Sequence, residues 1–403
     1  MQFSLIGDHP DGLEMARALA EAGQHTLATY TGPPGGADWV YRAGLRPKLV
    51  RDTEEVLADP SIETVIVASP IDNRPAHLRR AVQSERHVLC VCPVDQTPDI
   101  AYETAMIQKD TGCILLPLLP RALHPAFIRL ARCMREPDLI GKLGLLQVEL
   151  THPSLSSRDT GTSGKVSLPG WEVLRALGGE IAEVSAFAGG TDLQTGEPFL
   201  LSGRFERGGI FQVSFVPQPW RSRCEFIATG SAGRVRLVFP DGFTGPAAMS
   251  FAPETVGLCE ELWEPWNPWP AMVDSFETAL ADSSKRATSS ANDAPKDPAG
   301  AAEALPITWQ VAIRCLELDD AARRSVERRR VSALDYQEAS EEVGFKGTMT
   351  LVGCALLWFI LLAVILSRWV PWLGWIIVPI LGLFLGLQLL RWILPKSHER
   401  TER

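Results

Sequence analysis

The sequence predicts an α/β protein in which a parallel sheet is followed by an open antiparallel sheet and then by two apolar helices. Three observations support this fold class. Short strand and helix patterns alternate over about the first 120 residues, and longer, more regularly alternating strands follow between about 143 and 240. Two uncharged apolar runs then stand near the C-terminus of the 403-residue chain.

Each strand of the first third is a short apolar run followed by a helical pattern. The predicted strands are residues 3–7, 25–30, 64–69, 87–92 and 113–119. The predicted helices between them are residues 12–23, 53–62, 75–85 and 98–112. Alternation of this kind makes a parallel sheet with right-handed crossovers, and nearly continuous apolar strands suit burial on both faces.

The middle of the chain changes character. Its predicted strands lie within residues 143–151, 183–190, 199–217 and 223–239, are punctuated by glycine, and favour an antiparallel sheet. Tryptophans 263, 266 and 269 alternate with prolines, which indicates an extended arm that packs on a surface; stacking on a carbohydrate is the alternative. A polar, flexible insert is expected over 282–304, and a strong amphipathic helix over 307–329.

Charge and cysteine content exclude several classes of protein. A net charge of −9 does not favour nucleic acid as a partner. Eight scattered cysteines without a Cys-x-x-Cys motif argue against a disulfide framework, fit a reducing compartment, and offer no recognisable metal site. The N-terminus has neither a basic region nor a long apolar region, so no cleaved signal peptide is predicted.

The two apolar runs predict a transmembrane hairpin over residues 348–394. Residues 349–366 carry no charge and would span roughly 27 Å as a helix, and residues 372–390 form a second such run. The basic tail 395–403 is richer in positive charge than the connecting turn, so the N-terminal body and the C-terminus are both predicted in the cytoplasm. The lipid bilayer is then a predicted partner, and the alternative is a buried helical pair in a soluble core.

The turn after the first strand has part of a dinucleotide-binding pattern. It reads Gly7-Asp8-His9-Pro10-Asp11-Gly12, so the first and third glycines of Gly-x-Gly-x-x-Gly are present. His9 replaces the glycine that lets the backbone approach a pyrophosphate. The second strand ends in Thr29-Tyr30-Thr31, without the acidic residue that would hold a ribose hydroxyl. The pattern indicates a Rossmann-type domain whose nucleotide site has lost two features.

The order of elements resembles the glucose-fructose oxidoreductase / inositol dehydrogenase / rhizopine-catabolism (Gfo/Idh/MocA) family. The resemblance is carried by residues 64–94, 140–150, 171–187 and 321–334 and covers about residues 1–335. It implies a Rossmann-like dinucleotide-binding domain over 1–120 and an α+β domain with an open sheet over 121–335. It also implies NAD or NADP as cofactor, a small polyol-like ligand, and a possible homo-oligomer.

The residues that carry the family's chemistry are only partly matched. The resemblance places cofactor contacts at Gly7, His9, Gly12, Ser69, Pro70, Arg74 and Pro93. Cys92 stands where the family has a catalytic lysine, and Pro93 alone matches the end of that strand motif. Glu172 keeps a carboxylate of the family's His-x-x-Asp pair, whereas no histidine occurs between His152 and His398 to supply its partner.

These losses lead to the hypothesis of a catalytically degenerate, membrane-tethered member with a scaffolding or ligand-sensing role. The alternatives are an active NAD(P)-dependent oxidoreductase acting on a sugar or polyol, and a membrane interaction or oligomerisation protein. Cys92 is interpreted as an inert thiol in preference to a new nucleophile, since no adjacent base is evident. Two interpretations of Arg74 and Arg121 are open: they line a cleft and bind an anion there, or they are ordinary surface charges.

Overall fold

The computed structural model describes residues 1–151, 170–190, 193, 197–216, 223–253, 259–288, 307–329 and 331–333. The chain divides into two compact units, Met1–Tyr336 and Gln337–Arg403, and every described residue belongs to the first. The predicted hairpin 348–394 and tail 395–403 lie outside the described residues.

The first sheet is parallel throughout, as predicted. Its strands and the helices between them are β1 (Gln2–Gly7), α1 (Pro10–Glu21), β2 (Thr26–Thr31), α2 (Pro34–Arg42), β3 (Lys48–Leu49), α3 (Thr53–Ala58), β4 (Thr64–Ala68), α4 (Arg74–Gln83), β5 (His87–Val91), α5 (Asp99–Thr111) and β6 (Leu115–Leu118). The strand order is β3-β2-β1-β4-β5-β6, with parallel pairing at every step. The order reverses beside β1, so the carboxyl ends of β1 and β4 form the crevice where such sheets bind ligands.

The second sheet is mixed, which corrects the prediction of an antiparallel sheet. It follows a 3-10 turn (Pro120–Leu123) and α6 (Pro125–Arg135). Its strands are β7 (Leu143–Leu150), β8 (Ile181–Ala188), β9 (Phe199–Phe205), β10 (Ile210–Phe215), β11 (Cys224–Gly230), β12 (Gly233–Phe239), β13 (Ala247–Pro253) and β14 (Cys259–Trp263), and the helix α7 (Trp171–Gly178) lies between β7 and β8 in the chain. The strand order is β14-β13-β12-β11-β7-β10-β9-β8-β15, in which β15 is the short C-terminal strand Ser332–Ala333. Because β8, β9 and β10 form a three-strand meander that returns to β7, β10 lies parallel to β7 while its other neighbour is antiparallel.

Three further elements complete the described unit: α8 (Trp269–Thr288), α9 (Trp309–Arg328) and β15 (Ser332–Ala333). α8 extends into the predicted flexible insert, since residues 282–288 are helical. The tryptophans of the predicted arm pack within the protein: the Trp266 ring meets His124 edge-on at 4.9 Å, and Trp269 is buried at the start of α8. Packing, not an exposed stacking platform, accounts for these rings.

The amphipathic helix predicted over 307–329 is α9, and it joins both sheets. The Trp309 indole donates to the carbonyl of Ala101 on α5 at 2.9 Å, and the Tyr102 hydroxyl donates to Glu317. Towards the second sheet, the Trp171 indole donates to Asp319 at 2.6 Å, and the Ser325 hydroxyl accepts from the backbone of Ala186 at 2.9 Å. α9 therefore fastens the helical layer of the first sheet to the second.

The predicted membrane protein with two spans is contradicted by the helices that the structure describes. None of them has both the length and the apolarity needed to cross a bilayer. α8 and α9, with 20 residues each, both carry charged residues along their length. The apolar runs 349–366 and 372–390, from which the localisation was predicted, lie outside the described residues.

A buried histidine, His124, lies between the 3-10 turn and α6 and packs against the second sheet. His124 has no exposed surface, and its Nδ1 accepts from the backbone N–H of Ala126 at 3.1 Å, which caps α6. Its ring lies edge-on to Phe127, Phe239 and Trp266. Burial among these rings lowers the pKa of His124 from 6.5 to about 4.

The lowered pKa of His124 predicts that the protein loses stability in mild acid. The unfolded chain binds a proton at His124 below about pH 6.5 and the folded chain only below about pH 4, so acid favours the unfolded state in that interval. We expect His124 to remove about 3 kcal/mol from the free energy of unfolding between pH 7 and pH 4. Urea unfolding of wild type and His124→Asn at both pH values measures this, because asparagine keeps the cap and does not titrate. Equal pH dependence in the two proteins would contradict the assignment.

Candidate functional site

The turn between β1 and α1 is pressed against the end of β4. Gly7 has φ +102°, and a Cβ there would lie 2.3 Å from the carbonyl carbon of Ala68. A Cβ on Gly12 would lie 2.2 Å from the Cβ of Ala68, and the His9 backbone N–H donates to the Ala68 carbonyl at 3.0 Å. Both predicted glycines are therefore required by the close approach of turn and strand.

His9 lies at the N-terminus of α1, with Pro10 following it as the first helical residue. Its Nδ1 accepts from the backbone N–H of Asp11 at 3.2 Å. That N–H is one of the groups with which a helix N-terminus binds phosphate in this type of fold. The imidazole therefore caps the helix itself, at the position where the sequence predicted an obstruction.

Tyr30, at the end of β2, was not predicted as a site residue. Its side chain is 1% exposed, and its hydroxyl donates to the carbonyl of Pro33 at 2.9 Å. A Cβ on Gly36, in the first turn of α2, would lie 2.0 Å from the Tyr30 hydroxyl and 2.7 Å from the Cβ of Asp8. Burial and the negative charge of Asp8 raise the pKa of Tyr30 far above its usual value. The tyrosine, Asp8 and the start of α2 thus fill the junction between the ends of β1 and β2.

Arg74 joins the carboxyl ends of β4 and β5. The guanidinium has no exposed surface; its Nε and Nη2 donate to the Ser69 carbonyl at 2.9 and 2.7 Å, and its Nη1 donates to the Pro93 carbonyl at 2.5 Å. The interpretation of Arg74 as a surface charge is wrong. Pro70 opens the turn, since its carbonyl accepts the N–H of Arg74 at 2.9 Å, and the Ser69 hydroxyl lies 2.5 Å from His77 Nδ1.

Cys92 and Glu172 lie in different parts of the sequence, yet in the structure they are near enough to interact electrostatically. Loss of hydration raises the pKa of Cys92 well above its ordinary value, Cys90 and Glu172 raise it further, and Arg74 opposes them. The thiol is therefore neutral at ordinary pH and is a poor nucleophile. Cys315 of α9 completes the cluster, because its pKa is raised by burial and also by Glu172 and Cys92.

Glu172 lies in the first turn of α7 and is 6% exposed. Burial raises the pKa of its carboxyl group, while the charge of Arg121 and the backbone N–H groups of Glu172 and Gly170 oppose that rise. Asp319, which accepts a hydrogen bond from the Trp171 indole, also raises the pKa of Glu172. Asp319 was missed in the sequence, although an aspartate on the buried face of an amphipathic helix is a detectable signal. Within the described part of the chain, no group of three or more His, Cys, Asp or Glu side chains is arranged to hold a metal ion.

No protein-family model and no curated protein sequence matches this chain. Solved structures do match it. A levoglucosan dehydrogenase in complex with NADH and L-sorbose superposes with a TM-score of 0.66 at 15% identity, covering 84% of this chain and 99% of that one.

Two further solved structures give the same result. A protein described as a possible myo-inositol dehydrogenase from Sinorhizobium meliloti has a TM-score of 0.58 at 18% identity and covers 83% of this chain and 100% of that one. The WlbA dehydrogenase of Chromobacterium violaceum, solved with NADH and UDP-GlcNAcA, has a TM-score of 0.62 at 16% identity over 84% and 97%. The chain therefore has the fold of Gfo/Idh/MocA-type dehydrogenases, and several proteins with this fold were solved with NAD or NADH.

Proposed function

We propose that this protein binds a small polyol-like ligand on a dehydrogenase fold and does not transfer hydride. The observation that carries the proposal is the contact among Tyr30, Gly36 and Asp8, which fills the junction of β1 and β2. In dinucleotide-binding sheets the adenosine ribose lies at this junction, held by an acidic residue at the end of the second strand. Here that end carries a buried tyrosine.

The neighbouring turn argues against a bound pyrophosphate as well. The His9 imidazole already accepts the N–H of Asp11, so the helix N-terminus presents one fewer free donor. Asp8 and Asp11 bring two carboxylates to the place where an anion would dock. The occupied helix N-terminus and the two carboxylates argue against a dinucleotide in this turn, and we derive no reaction step through one.

The end of β5 lacks a group suited to exchanging a proton with a substrate hydroxyl. Cys92 occupies the position of the family lysine, and its raised pKa leaves it a neutral thiol. A neutral thiol neither polarises a substrate oxygen as an ammonium does nor acts as an effective base near pH 7. The Cys92–Pro93 peptide bond is cis, and the Pro93 carbonyl is occupied by Arg74.

Titration with NADH and NADPH tests the proposal. We expect the purified full chain to show no saturable change in nicotinamide fluorescence, because ribose and pyrophosphate meet occupied positions. His9→Gly combined with Cys92→Lys should improve affinity only weakly, since neither change removes Tyr30, and adding Tyr30→Asp should improve it further. Micromolar binding by the wild type would refute the proposal.

An active NAD(P)-dependent oxidoreductase remains the second candidate. Gly7 and Gly12 keep the close approach of turn and strand, and Glu172 supplies a buried carboxyl group that interacts electrostatically with Cys92. Turnover of a sugar or polyol with NAD, followed at 340 nm, would establish this alternative. Loss of that turnover in Glu172→Gln would identify the carboxyl group as the proton carrier.

A further inference from the structure

We propose that Arg121 and Glu172 form an anchor for the carboxylate of a small organic acid, so that the ligand is an acid and not a neutral sugar. This inference rests on the proposed ligand-binding function and names the chemical class of the ligand. It begins from an arginine whose guanidinium makes no hydrogen bond or ion pair with any described residue.

Arg121 is held in place by an aromatic ring. It lies in the 3-10 turn that follows β6, at the carboxyl edge of the parallel sheet, and its guanidinium carbon lies 5.3 Å from the centre of the Phe243 ring. A guanidinium stacked on a ring keeps its in-plane N–H groups available, and these match the two oxygens of a carboxylate. The side chain is partly exposed, so a solute can reach it.

Glu172 lies close enough to Arg121 for the arginine charge to oppose the rise in its pKa, yet the two do not form an ion pair. The glutamate is buried at the start of α7, which packs against the turn that carries Arg121. Burial raises the pKa of this carboxyl group, and in its protonated form it can donate a hydrogen bond to an incoming anion. Guanidinium and carboxyl group then offer donors to the same ligand oxygens.

The surrounding charges favour a single negative charge on the ligand. Arg74 is engaged with two backbone carbonyls, and Arg175 is paired with Glu180. Asp319 brings a carboxylate to the same cluster. Among the described residues named here, Arg121 is the cation left to bind a ligand, and one such cation beside acidic groups suits a carboxylate better than a phosphate dianion, which would need further positive charge.

Thermal-shift and calorimetric binding measurements on the full chain test the anchor. The probes are a panel of hydroxy acids, aldonic acids and uronic acids, each paired with its neutral alcohol or sugar, together with inorganic phosphate. We expect at least one acid to bind while its neutral partner and phosphate do not. Arg121→Met should weaken that binding by about ten- to a hundredfold. Arg46→Met is the matched control, because Arg46 also lies over an aromatic ring, Tyr41, at 5.7 Å but is not part of the anchor.

The pH dependence separates this role of Glu172 from a purely structural one. A bound carboxylate beside Glu172 raises its pKa further, so binding takes up a proton and affinity falls as pH rises through that pKa. The charged and titratable groups that act on Glu172 are Arg121 and Asp319, and it is coupled to the thiols of Cys92 and Cys315. Glu172→Gln keeps a donor and should retain binding without this pH dependence.

Three results would overturn the anchor: no acid of the panel binds, the neutral partners bind equally well, or Arg121→Met binds as the wild type does. NADH binding is a separate outcome. If NADH binds and an acid still requires Arg121, the proposed function fails while the anchor stands as a substrate site.

Discussion

Gly12→Ala is expected to lower the free energy of unfolding by about 2–3 kcal/mol, because the new methyl group has no room. A Cβ at this position would lie 2.2 Å from the Cβ of Ala68 on β4, so strand or helix must move. The next nearest atoms, the Cα of Ala68 and a methyl carbon of Ile66, lie at an ordinary 3.6 Å. Chemical unfolding of the purified variant measures the loss.

The same geometry predicts that a second substitution, at Ala68, restores the stability of Gly12→Ala. Ala68→Gly removes the single atom in conflict, so the double variant should recover most of the stability, less about 1 kcal/mol for a glycine in a strand. Gly35→Ala is the control, since a Cβ on Gly35 meets nothing within 4 Å and should leave stability unchanged or slightly higher. Failure of Ala68→Gly to rescue would show that the contact is not the cause.

Arg74→Met is expected to cost about 3–5 kcal/mol, the largest effect of any single substitution considered. The change removes the donors to the Ser69 and Pro93 carbonyls at the ends of β4 and β5. Methionine fills part of the volume but donates no hydrogen bond, so buried carbonyl groups lose their partner. Urea unfolding followed by tryptophan fluorescence gives the value.

Arg80→Met provides the comparison within the same helix. Arg80 pairs with Glu54 at 2.5 Å, but both side chains are about half exposed, at 53% and 54%. Solvent screens exposed pairs of this kind, so we expect Arg80→Met to leave the stability almost unchanged. Similar losses for Arg74→Met and Arg80→Met would mean that the bridge between the strand ends contributes little.

The parallel sheet was predictable because each of its main strands is an uninterrupted apolar run with a helix after it. Helix α2 was not predictable, because Pro33-Pro34-Gly35-Gly36 has the composition of a turn. Pro34 is nevertheless suited to the first turn of a helix, where the structure places it. The parallel pairing of β7 with β10 could not be predicted from the sequence either. Alternation along a strand reports which face is buried and says nothing about the direction of its neighbour.

The candidate site was predicted in part. The glycine turn and its obstructing His9 follow from a local motif, and the structure places both at the end of β4. The contact of Tyr30 with Gly36 and Asp8 depends on how a loop folds back, which no local pattern encodes. The burial of Arg74 was missed for a related reason. Its partners are backbone carbonyls, which every residue has, so no side chain in the sequence indicates them.

The position of α9 has a consequence for biosynthesis. Trp309 and Glu317 contact Ala101 and Tyr102 of α5, so a surface of the first sheet's helical layer is completed by residues that are synthesised much later. A nascent chain emerges from the ribosome N-terminus first and folds domain by domain. The early sheet therefore leaves the exit tunnel with this surface uncovered, and it stays uncovered until translation reaches α9.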